Sequence, residues 1–194
     1  MIKRTITLRA RTWQRRAIVT LSLACAVGGV ITAGINAGYR LNVTPSEPLG
    51  LWKGIEVNHY QTGDVVEACV PQSSIMTLAL ARGYLLPGPC PGGWATVIKP
   101  IAAQAGDVVG ITASGVTING HAISTVGPVN KDSAGRPLSS VVSGTVTVPS
   151  GMVFLLSDYT AKSFDSRYFG FVPATSLRHK MIPIAVTGWK PKGY

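Results

Sequence analysis

The chain has 194 residues and a formal net charge of +10, from 18 Lys and Arg against 8 Asp and Glu. That length holds one domain with a hydrophobic core and a smaller appendage. The charge is uneven, because residues 1–16 contain six Lys and Arg, no acid, and directly precede an apolar stretch. Membrane topology and anionic lipid account for such a tail, so a nucleic-acid partner is not expected.

The apolar stretch, residues 17–39, has 23 residues without a formal charge. About 20 apolar residues are enough to cross the hydrocarbon core of a bilayer. Because cations concentrate on the cytoplasmic side of a span, the N-terminus is predicted to lie in the cytoplasm. The sequence therefore predicts a basic cytoplasmic tail (1–16), a single-pass anchor in contact with inner-membrane lipid (17–39) and a periplasmic domain (40–194).

A cleaved signal peptide is the alternative interpretation of this stretch. Its apolar region would be about 7–15 residues long and would end at an Ala-x-Ala-like cleavage site. The stretch here is longer, and Ala33-Gly34-Ile35 makes a poor cleavage site. An uncleaved anchor is therefore favoured.

The predicted periplasmic domain is mainly β. Val-rich runs follow the turns Gly63-Asp64 and Gly106-Asp107, and Asn119-Gly120 is typical of a hairpin. Strands are predicted over 63–70, 106–111, 116–118, 141–148 and 152–156. The Asp residues of the two Gly-Asp turns are interpreted as turn formers.

One short helix is predicted over 75–82. Ser73 or Ser74 can cap its N-terminus, and Gly83 can end it. The segment 126–138 is polar and contains Gly and Pro, which predicts an exposed loop.

The three cysteines lie in two different parts of the chain. Cys25 lies in the apolar stretch, where it is interpreted as a small apolar residue. Cys69 and Cys90 lie in the predicted periplasmic domain, where an oxidising compartment favours a disulfide. Two thiols could instead bind metal, but no CxxC motif or nearby His supports that alternative. A Cys69–Cys90 disulfide is predicted, with no metal and no cofactor.

The histidines and tryptophans give weaker information. His59, His121 and His179 lack partners at catalytic or metal spacing, so surface or loop positions are predicted. Tryptophans fit either a core or a membrane interface, and the choice stays open for Trp52, Trp94 and Trp189.

Two separate residues are candidates for a nucleophile and its base. Ser46 lies between Pro45 and Pro48, which restrict the backbone and preset the direction of its hydroxyl. Lys99 lies within an apolar strand, where desolvation favours a neutral amine that can accept a proton. The alternatives are a Pro-rich tether that happens to contain a serine, and a lysine on a sheet edge that points to solvent.

A third block lies near the C-terminus. The run Ser163-Phe164-Asp165-Ser166-Arg167-Tyr168-Phe169-Gly170 places an acid, a base and two hydroxyls within five residues. It follows an apolar strand, so the cluster is predicted to lie on a loop held by a rigid scaffold.

The order of the three blocks resembles the signal peptidase S26 family of Ser/Lys proteases. The first block, Thr-x-Ser-x-Pro-x-Gly-Leu-Trp, is most similar to that of the TraF-like conjugation peptidases, as are the two cysteines and the compact size. The last block departs from the family: signal peptidases usually begin it with Gly-Asp-Asn, whereas this chain has Ser157-Asp158-Tyr159. The resemblance implies a signal-peptidase-like antiparallel β domain after the transmembrane helix.

The resemblance also implies roles for individual residues. Ser46 would be the nucleophile and Lys99 its general base, while the Thr44 hydroxyl and the Ser46 backbone N–H would form the oxyanion hole. Ser163 would orient the lysine.

The remaining pair of the family pattern is an acid and an arginine. Asp165 and Arg167 match an ion pair beneath the site, and TraF-like members also assign a catalytic part to an acid that Asp165 matches.

The implied activity is that of a membrane-anchored serine endopeptidase. Its substrate would be an exported precursor, such as a conjugative pilin, with the conjugation or type IV secretion machinery as a further partner. An acyl-enzyme could be resolved by water or by the pilin's own amino terminus, which would give a cyclic product. The alternatives are a general type I signal peptidase, a catalytically inert envelope assembly component and a LexA-like cytoplasmic autoprotease, which would have no use for the anchor.

Overall fold

The computed structural model describes the backbone of residues 2–188 and the side chains from Trp13 to Gly188. Trp189, whose environment the sequence leaves open, lies outside the described residues. The chain divides into two compact units, residues 1–39 and residues 40–194.

The first unit is one long helix, α1, from Ile2 to Asn36. Its segment Trp13–Asn36 has 24 residues and a mean hydropathy of 2.1, so it is long and apolar enough to cross a membrane. At 1.5 Å per residue it extends about 36 Å. The hydroxyls of Thr20 and Thr32 donate to carbonyls four residues earlier, which leaves neither hydroxyl in need of a partner in hydrocarbon.

The second unit consists of two antiparallel sheets, and the predicted mainly β fold is confirmed. The larger has seven strands in the order β1-β2-β11-β3-β4-β9-β10, and the smaller has four in the order β7-β6-β5-β8. The strands are β1 Tyr39–Asn42, β2 Gly50–Ile55, β3 Val65–Ala68, β4 Val97–Gln104, β5 Val108–Thr112, β6 Gly115–Ile118, β7 His121–Ser124, β8 Gly144–Thr147, β9 Met152–Leu155, β10 Val172–Pro173 and β11 Leu177–Val186.

Two further helices belong to this unit. Helix α2, Ser74–Ala81, is capped by the Ser73 side chain, which accepts from Met76 N. It is the helix that the sequence predicts. Helix α3, Ser166–Phe169, is a single turn inside the segment that the sequence predicts as loop. It forms because the Asp165 carboxylate caps it by accepting from Arg167 N.

The hydrophobic core has two main parts. One packs α2, α3 and residues of β3, β4 and β9 around Trp94, and the other lies between the smaller sheet and residues of β4 and β9 around Phe154. Trp52 and Trp94 are 0% and 2% exposed, so both are core residues rather than membrane-interface aromatics.

The polar segment 126–138 is mostly exposed and lacks a helix or strand, as the sequence predicts, but part of it is held against the fold. Leu138 is buried, and Lys131 and Pro137 form an antiparallel bridge within the segment. Arg82, which caps α2, donates to Pro137 O at 2.6 Å, and the Tyr84 hydroxyl donates to Asp132. The segment is therefore docked on the end of α2, because its single acid and its carbonyls find donors there.

A disulfide joins Cys69, just after β3, to Cys90, and encloses α2. We predict that Cys69→Ser lowers the free energy of unfolding by about 3 kcal/mol, because a closed loop of this size restricts the unfolded chain. Urea unfolding of the detergent-solubilised full-length protein, followed by tryptophan fluorescence, measures the change. Cys25→Ser is the control, since Cys25 is a free thiol in α1. Equal midpoints for the two variants would contradict the prediction.

Candidate active site

The segment that contains Ser46 connects β1 to β2 and is held by one amide side chain. Asn42, 7% exposed at the end of β1, donates to the carbonyls of Thr44, Glu47 and Pro48. Its Oδ1 accepts from the Thr44 backbone N–H at 3.1 Å. Asn42 thus holds the backbone both before and after Ser46. The three sequence motifs do not indicate this role.

The exit of the same segment is fixed by Gly50. It has a φ of 133°, and a Cβ at this position would lie 2.2 Å from Ala185 O on β11. Only glycine fits this close approach of β2 to β11. The Trp52 indole then donates back to Pro48 O at 3.1 Å.

Lys99 projects from β4 to the Ser46 side chain. Its Nζ donates to Ser46 Oγ at 2.6 Å and to Ile98 O at 3.1 Å, and the residue is only 3% exposed. Val66 lies opposite Lys99 in the register of β3 and β4 and is fully buried. The structure therefore brings the two predicted residues, 53 positions apart in sequence, into direct contact in a largely apolar surrounding.

Thr44 lies beside this pair. Its Oγ1 is 3.4 Å from Ser46 Oγ and donates to Asn42 Oδ1 at 2.9 Å. A hydroxyl has one proton, so Thr44 cannot donate to Asn42 and to an oxyanion at the same time. Rotation of the hydroxyl would free that proton for a substrate oxygen.

Ser157, which follows β9, connects Ser46 to the C-terminal block. Its Oγ donates to Ser46 O, and its backbone N–H donates to Asp165 Oδ2 at 3.3 Å. The side chain that departs from the family's Gly-Asp-Asn pattern therefore holds the backbone of Ser46. Asp158, the next residue, is exposed.

Asp165 and Arg167 form a bidentate ion pair that is fully buried. Arg167 Nε donates to Asp165 Oδ1 and Nη2 to Asp165 Oδ2, both at 2.8 Å. Burial alone would lower the pKa of Arg167, but the hydrogen bonds and charge of Asp165 outweigh it and raise that pKa. Within the described part of the chain, the other hydrogen-bond donors to the Asp165 carboxylate are the backbone N–H groups of Ser157 and Arg167. The contacts of Asp165 are therefore structural, and its catalytic role stays a prediction.

Ser163 lies at the edge of the same cavity as Lys99. It is 1% exposed, and its Oγ has no hydrogen-bond partner among the described residues. Its carbonyl accepts from Arg167 Nη2 at 3.3 Å, so the ion pair positions its backbone. A buried hydroxyl without a partner is costly, and the predicted orientation of Lys99 by Ser163 remains a prediction.

A cavity of about 900 Å³ opens in front of Ser46 and Lys99. Four segments besides the Ser46 loop line it: 82–86 after α2, 95–99 on and before β4, 129–138 and 160–164. Apolar side chains such as Leu85, Val97 and Leu138 contribute to its walls. Such a cavity can hold several side chains of an extended polypeptide beside the two reacting groups.

A buried carboxylate, Glu67 on β3, forms a second polar cluster. Its Oε1 accepts from Arg40 Nε at 3.0 Å and Thr96 Oγ1 at 2.8 Å, and His179 Nδ1 lies 2.8 Å from Oε2. Burial raises the pKa of Glu67, but the hydrogen bonds of His179, Arg40 and Thr96 outweigh it and lower that pKa. The prediction that His179 is a surface or loop residue is wrong, because β11 places it against Glu67.

No group of three or more His, Cys, Asp or Glu that could hold a metal ion occurs among the residues that the structure describes. The chemistry that this arrangement can support is that of a serine hydroxyl and an amine in direct contact.

One protein-family model matches most of the chain. The family model described as "Signal peptidase, peptidase S26" matches residues 12–184. A crystal structure of a signal peptidase I from Enterococcus faecalis aligns with a TM-score of 0.38 and 25% identity, and covers 64% of this chain and 98% of that chain.

Several relatives are named for conjugal transfer. A probable conjugal transfer protein TraF from Sinorhizobium fredii is 39% identical over 173 residues, which cover 89% of this chain and 90% of that protein. A conjugal transfer protein TraF from Agrobacterium fabrum is 42% identical, covering 78% of this chain and 84% of that protein. A plasmid transfer protein TraF from Escherichia coli is 35% identical with the same coverage.

We predict that Ser157→Ala lowers the rate of substrate cleavage about tenfold, because the loss of one hydrogen bond of about 1–1.5 kcal/mol loosens the backbone of Ser46. The initial rate of precursor cleavage measures it. Ser124→Ala is the matched control, since Ser124 Oγ also donates to a backbone carbonyl, Val126 O, and is buried. Equal rates for the two variants would exclude a positioning role for Ser157.

We also predict an acid-dependent loss of stability that depends on Glu67. Because its pKa is lowered in the folded state from the ordinary 4.5, its stabilisation is complete above that value and is lost as pH falls through the lowered one. Urea midpoints between about pH 3 and 7 should fall less steeply below about pH 4.5 in Glu67→Gln than in the wild type. The exposed Glu56→Gln is the control; an acid slope shared by both variants would refute the assignment.

Proposed function

Because the chain belongs to the signal peptidase S26 family, as its three sequence blocks predict, we propose that it is a membrane-anchored serine endopeptidase with Ser46 and Lys99 as a catalytic dyad. The family implies serine peptidase chemistry. The observation that carries the assignment of residues is the 2.6 Å contact between Lys99 Nζ and Ser46 Oγ, with Lys99 only 3% exposed.

The proposed reaction begins with the neutral form of Lys99. In that form the same contact reverses its direction: Ser46 Oγ–H donates to the Nζ lone pair, and the amine takes the proton as Oγ attacks the scissile carbonyl. The resulting ammonium then donates a proton to the departing amine of the substrate. An acyl-enzyme on Ser46 remains.

The oxyanion of the tetrahedral intermediate needs donors in fixed positions. The Ser46 backbone N–H and the Thr44 hydroxyl are the proposed pair, with Asn42 releasing the Thr44 proton to the substrate. Removal of one such donor in other enzymes costs about 10²–10³ in kcat. Ser157 supports this arrangement by holding Ser46 O, and through Asp165 it connects the site to Arg167.

The proposed substrate is an exported precursor protein, with a conjugative pilin favoured by the names of the relatives. Either water or the amino terminus of the pilin would release the acyl group, giving a linear or a cyclic product. The apolar segment Trp13–Asn36 is the proposed inner-membrane anchor. Because Arg15 and Arg16 stand at its start, the N-terminus would lie in the cytoplasm and the catalytic domain in the periplasm.

The test is mass spectrometry of a conjugative pilin precursor co-expressed with this protein. Wild type should convert the precursor to a shorter product, and a mass lower by one water than that of the linear form would identify cyclisation. Ser46→Ala and Lys99→Ala should leave the precursor intact, because each removes one member of the proton-transfer pair.

Lys53→Ala, on β2 and outside the cavity, is the control and should process the precursor normally. Unfolding transitions of all variants establish that they are folded. Normal processing by a folded Ser46→Ala or Lys99→Ala would refute the dyad. Processing by wild type of many unrelated exported precursors would favour a general signal peptidase.

A further inference from the structure

The cavity in front of Ser46 is unusually basic for this chain. From Arg40 onward the sequence has 12 Lys and Arg and 8 Asp and Glu. Six of the 12 basic residues line the cavity, whereas Asp132 is the one acid among the described lining residues. The basic residues are Arg40, Arg82, Lys99, Lys131, Arg136 and Lys162.

Lys99 is neutral in the proposed mechanism, but most of the charge of the other five residues is not neutralised inside the protein. Arg40 pairs with Glu67, but Arg82 and Arg136 share the single carboxylate of Asp132. Lys131 and Lys162 are exposed, and neither forms a salt bridge within the part of the chain that the structure describes. Like charges that face one cavity repel each other and create a positive potential that attracts an anion.

Asp132 does not offset this potential for a ligand. Burial raises its pKa, but hydrogen bonds from Tyr84, Arg136 and Ala134 outweigh that effect and hold the pKa well below the ordinary value. The carboxylate is therefore ionised and occupied: Arg136 Nε lies 2.6 Å from Oδ2, and the Tyr84 hydroxyl donates to the same oxygen. Its contacts join the segments 82–86 and 129–138, which both line the cavity. Lys131 and Lys162 therefore remain as the cations that can contact a ligand.

The rest of the lining indicates a polypeptide. Leu85, Leu86 and Val129 provide apolar surface next to the cations, and Ser46 stands at the end of the same cavity. Carboxylate is the anion that an unmodified polypeptide supplies, either from Asp and Glu side chains or from its carboxyl terminus.

We propose that this cavity recognises a carboxylate-bearing segment of the substrate next to the scissile bond, with Lys131 and Lys162 as specificity-determining residues. The inference rests on the proposed peptidase function and names the chemistry of its substrate. Lys131 belongs to the 129–138 segment and Lys162 to the 160–164 segment, and both line the cavity in which the carboxylate would bind.

Peptide binding to the full-length Ser46→Ala protein in neutral detergent tests the proposal without cleavage. The probes are four fluorescent, Ala-rich decapeptides that combine Glu or Gln at one central position with a free or an amidated carboxyl terminus. Anisotropy titrations at low and high salt give the dissociation constants. We expect the peptide with a carboxylate to bind about tenfold more tightly than its neutral counterpart, as two exposed ion pairs predict, and the difference to shrink in salt.

The four peptides distinguish the two sources of carboxylate. A preference for Glu in the amidated pair identifies an acidic side chain, and a preference for the free acid in the Gln pair identifies the carboxyl terminus. Lys131→Gln/Lys162→Gln should abolish the preference. Lys131→Glu/Lys162→Glu should reverse it, so that a fifth, amidated peptide with Lys at the central position binds more tightly than its Glu counterpart. Lys53→Gln/Arg178→Gln, the control with the same charge change outside the cavity, should retain it.

Three results would overturn the proposal: equal affinity for all four peptides, absence of binding up to millimolar concentration, or an equal loss of preference in the control. Weaker binding of the lysine variants to anionic lipid vesicles with unchanged peptide preference would assign the charge to the membrane instead. Because binding is measured without the nucleophile, a charge preference can hold even if the dyad fails, and cleavage by the dyad can hold without a charge preference.

Discussion

The buried ion pair of Asp165 and Arg167 holds the backbone segments next to the candidate site. Both side chains are fully buried, and each atom of the pair that can hydrogen bond is directed at a specific partner: Arg167 holds Val126 O and Ser163 O, and Asp165 holds Ser157 N. The attraction within a buried ion pair offsets the cost of desolvation only when the remaining donors and acceptors are also hydrogen-bonded. Removal of one partner costs about 3–5 kcal/mol of stability. The value of the pair here is geometric, because it fixes the backbone at Val126, Ser163 and Ser157, and Ser157 in turn holds Ser46.

Ser46 is connected to this ion pair through a single residue, Ser157. The backbone N–H of Ser157 donates to the Asp165 carboxylate, and the Ser157 hydroxyl donates to Ser46 O. The position of Ser46 therefore depends on that of Asp165. Asn42 restrains the other side of the same loop from β1. The Ser46 hydroxyl is therefore placed by contacts from two ends of the larger sheet, whereas Lys99 is placed by β4 itself. Such preorganisation matters because a dyad has no third catalytic side chain that could correct a misplaced hydroxyl.

The meeting of Ser46 with Lys99 was implied by the family resemblance. The sequence itself predicted helix α2 and the strands β3, β4, β5, β6, β8 and β9, because capping residues, turn residues and β-branched runs are local properties. It did not predict β1, β2, β10 or the ten-residue β11. It gave residues 141–148 as one strand, whereas β8 covers Gly144–Thr147 and begins at a glycine with a φ of 74°. It missed Asn42 and the Glu67–His179 contact, because these depend on which strands become neighbours. Ser157 was visible only as a departure from a family pattern, and its partner, Ser46 O, lies 111 residues away. A single sequence contains no direct record of such pairings.

The residues proposed for catalysis and those proposed for recognition lie on different parts of the chain. Lys99 lies on a central strand, and the Ser46 loop, Ser157 and the ion pair are fixed against the larger sheet. The opposite wall of the cavity comes from the end of α2 and from residues 129–138, which Arg82, Tyr84 and Asp132 join across the surface. The disulfide attaches the α2 segment to β3 without passing through the dyad. Substitutions at Arg82, Tyr84 or Asp132 would therefore change the proposed recognition wall and leave the 2.6 Å contact of Lys99 with Ser46 in place, because β4 and the Ser46 loop hold that contact.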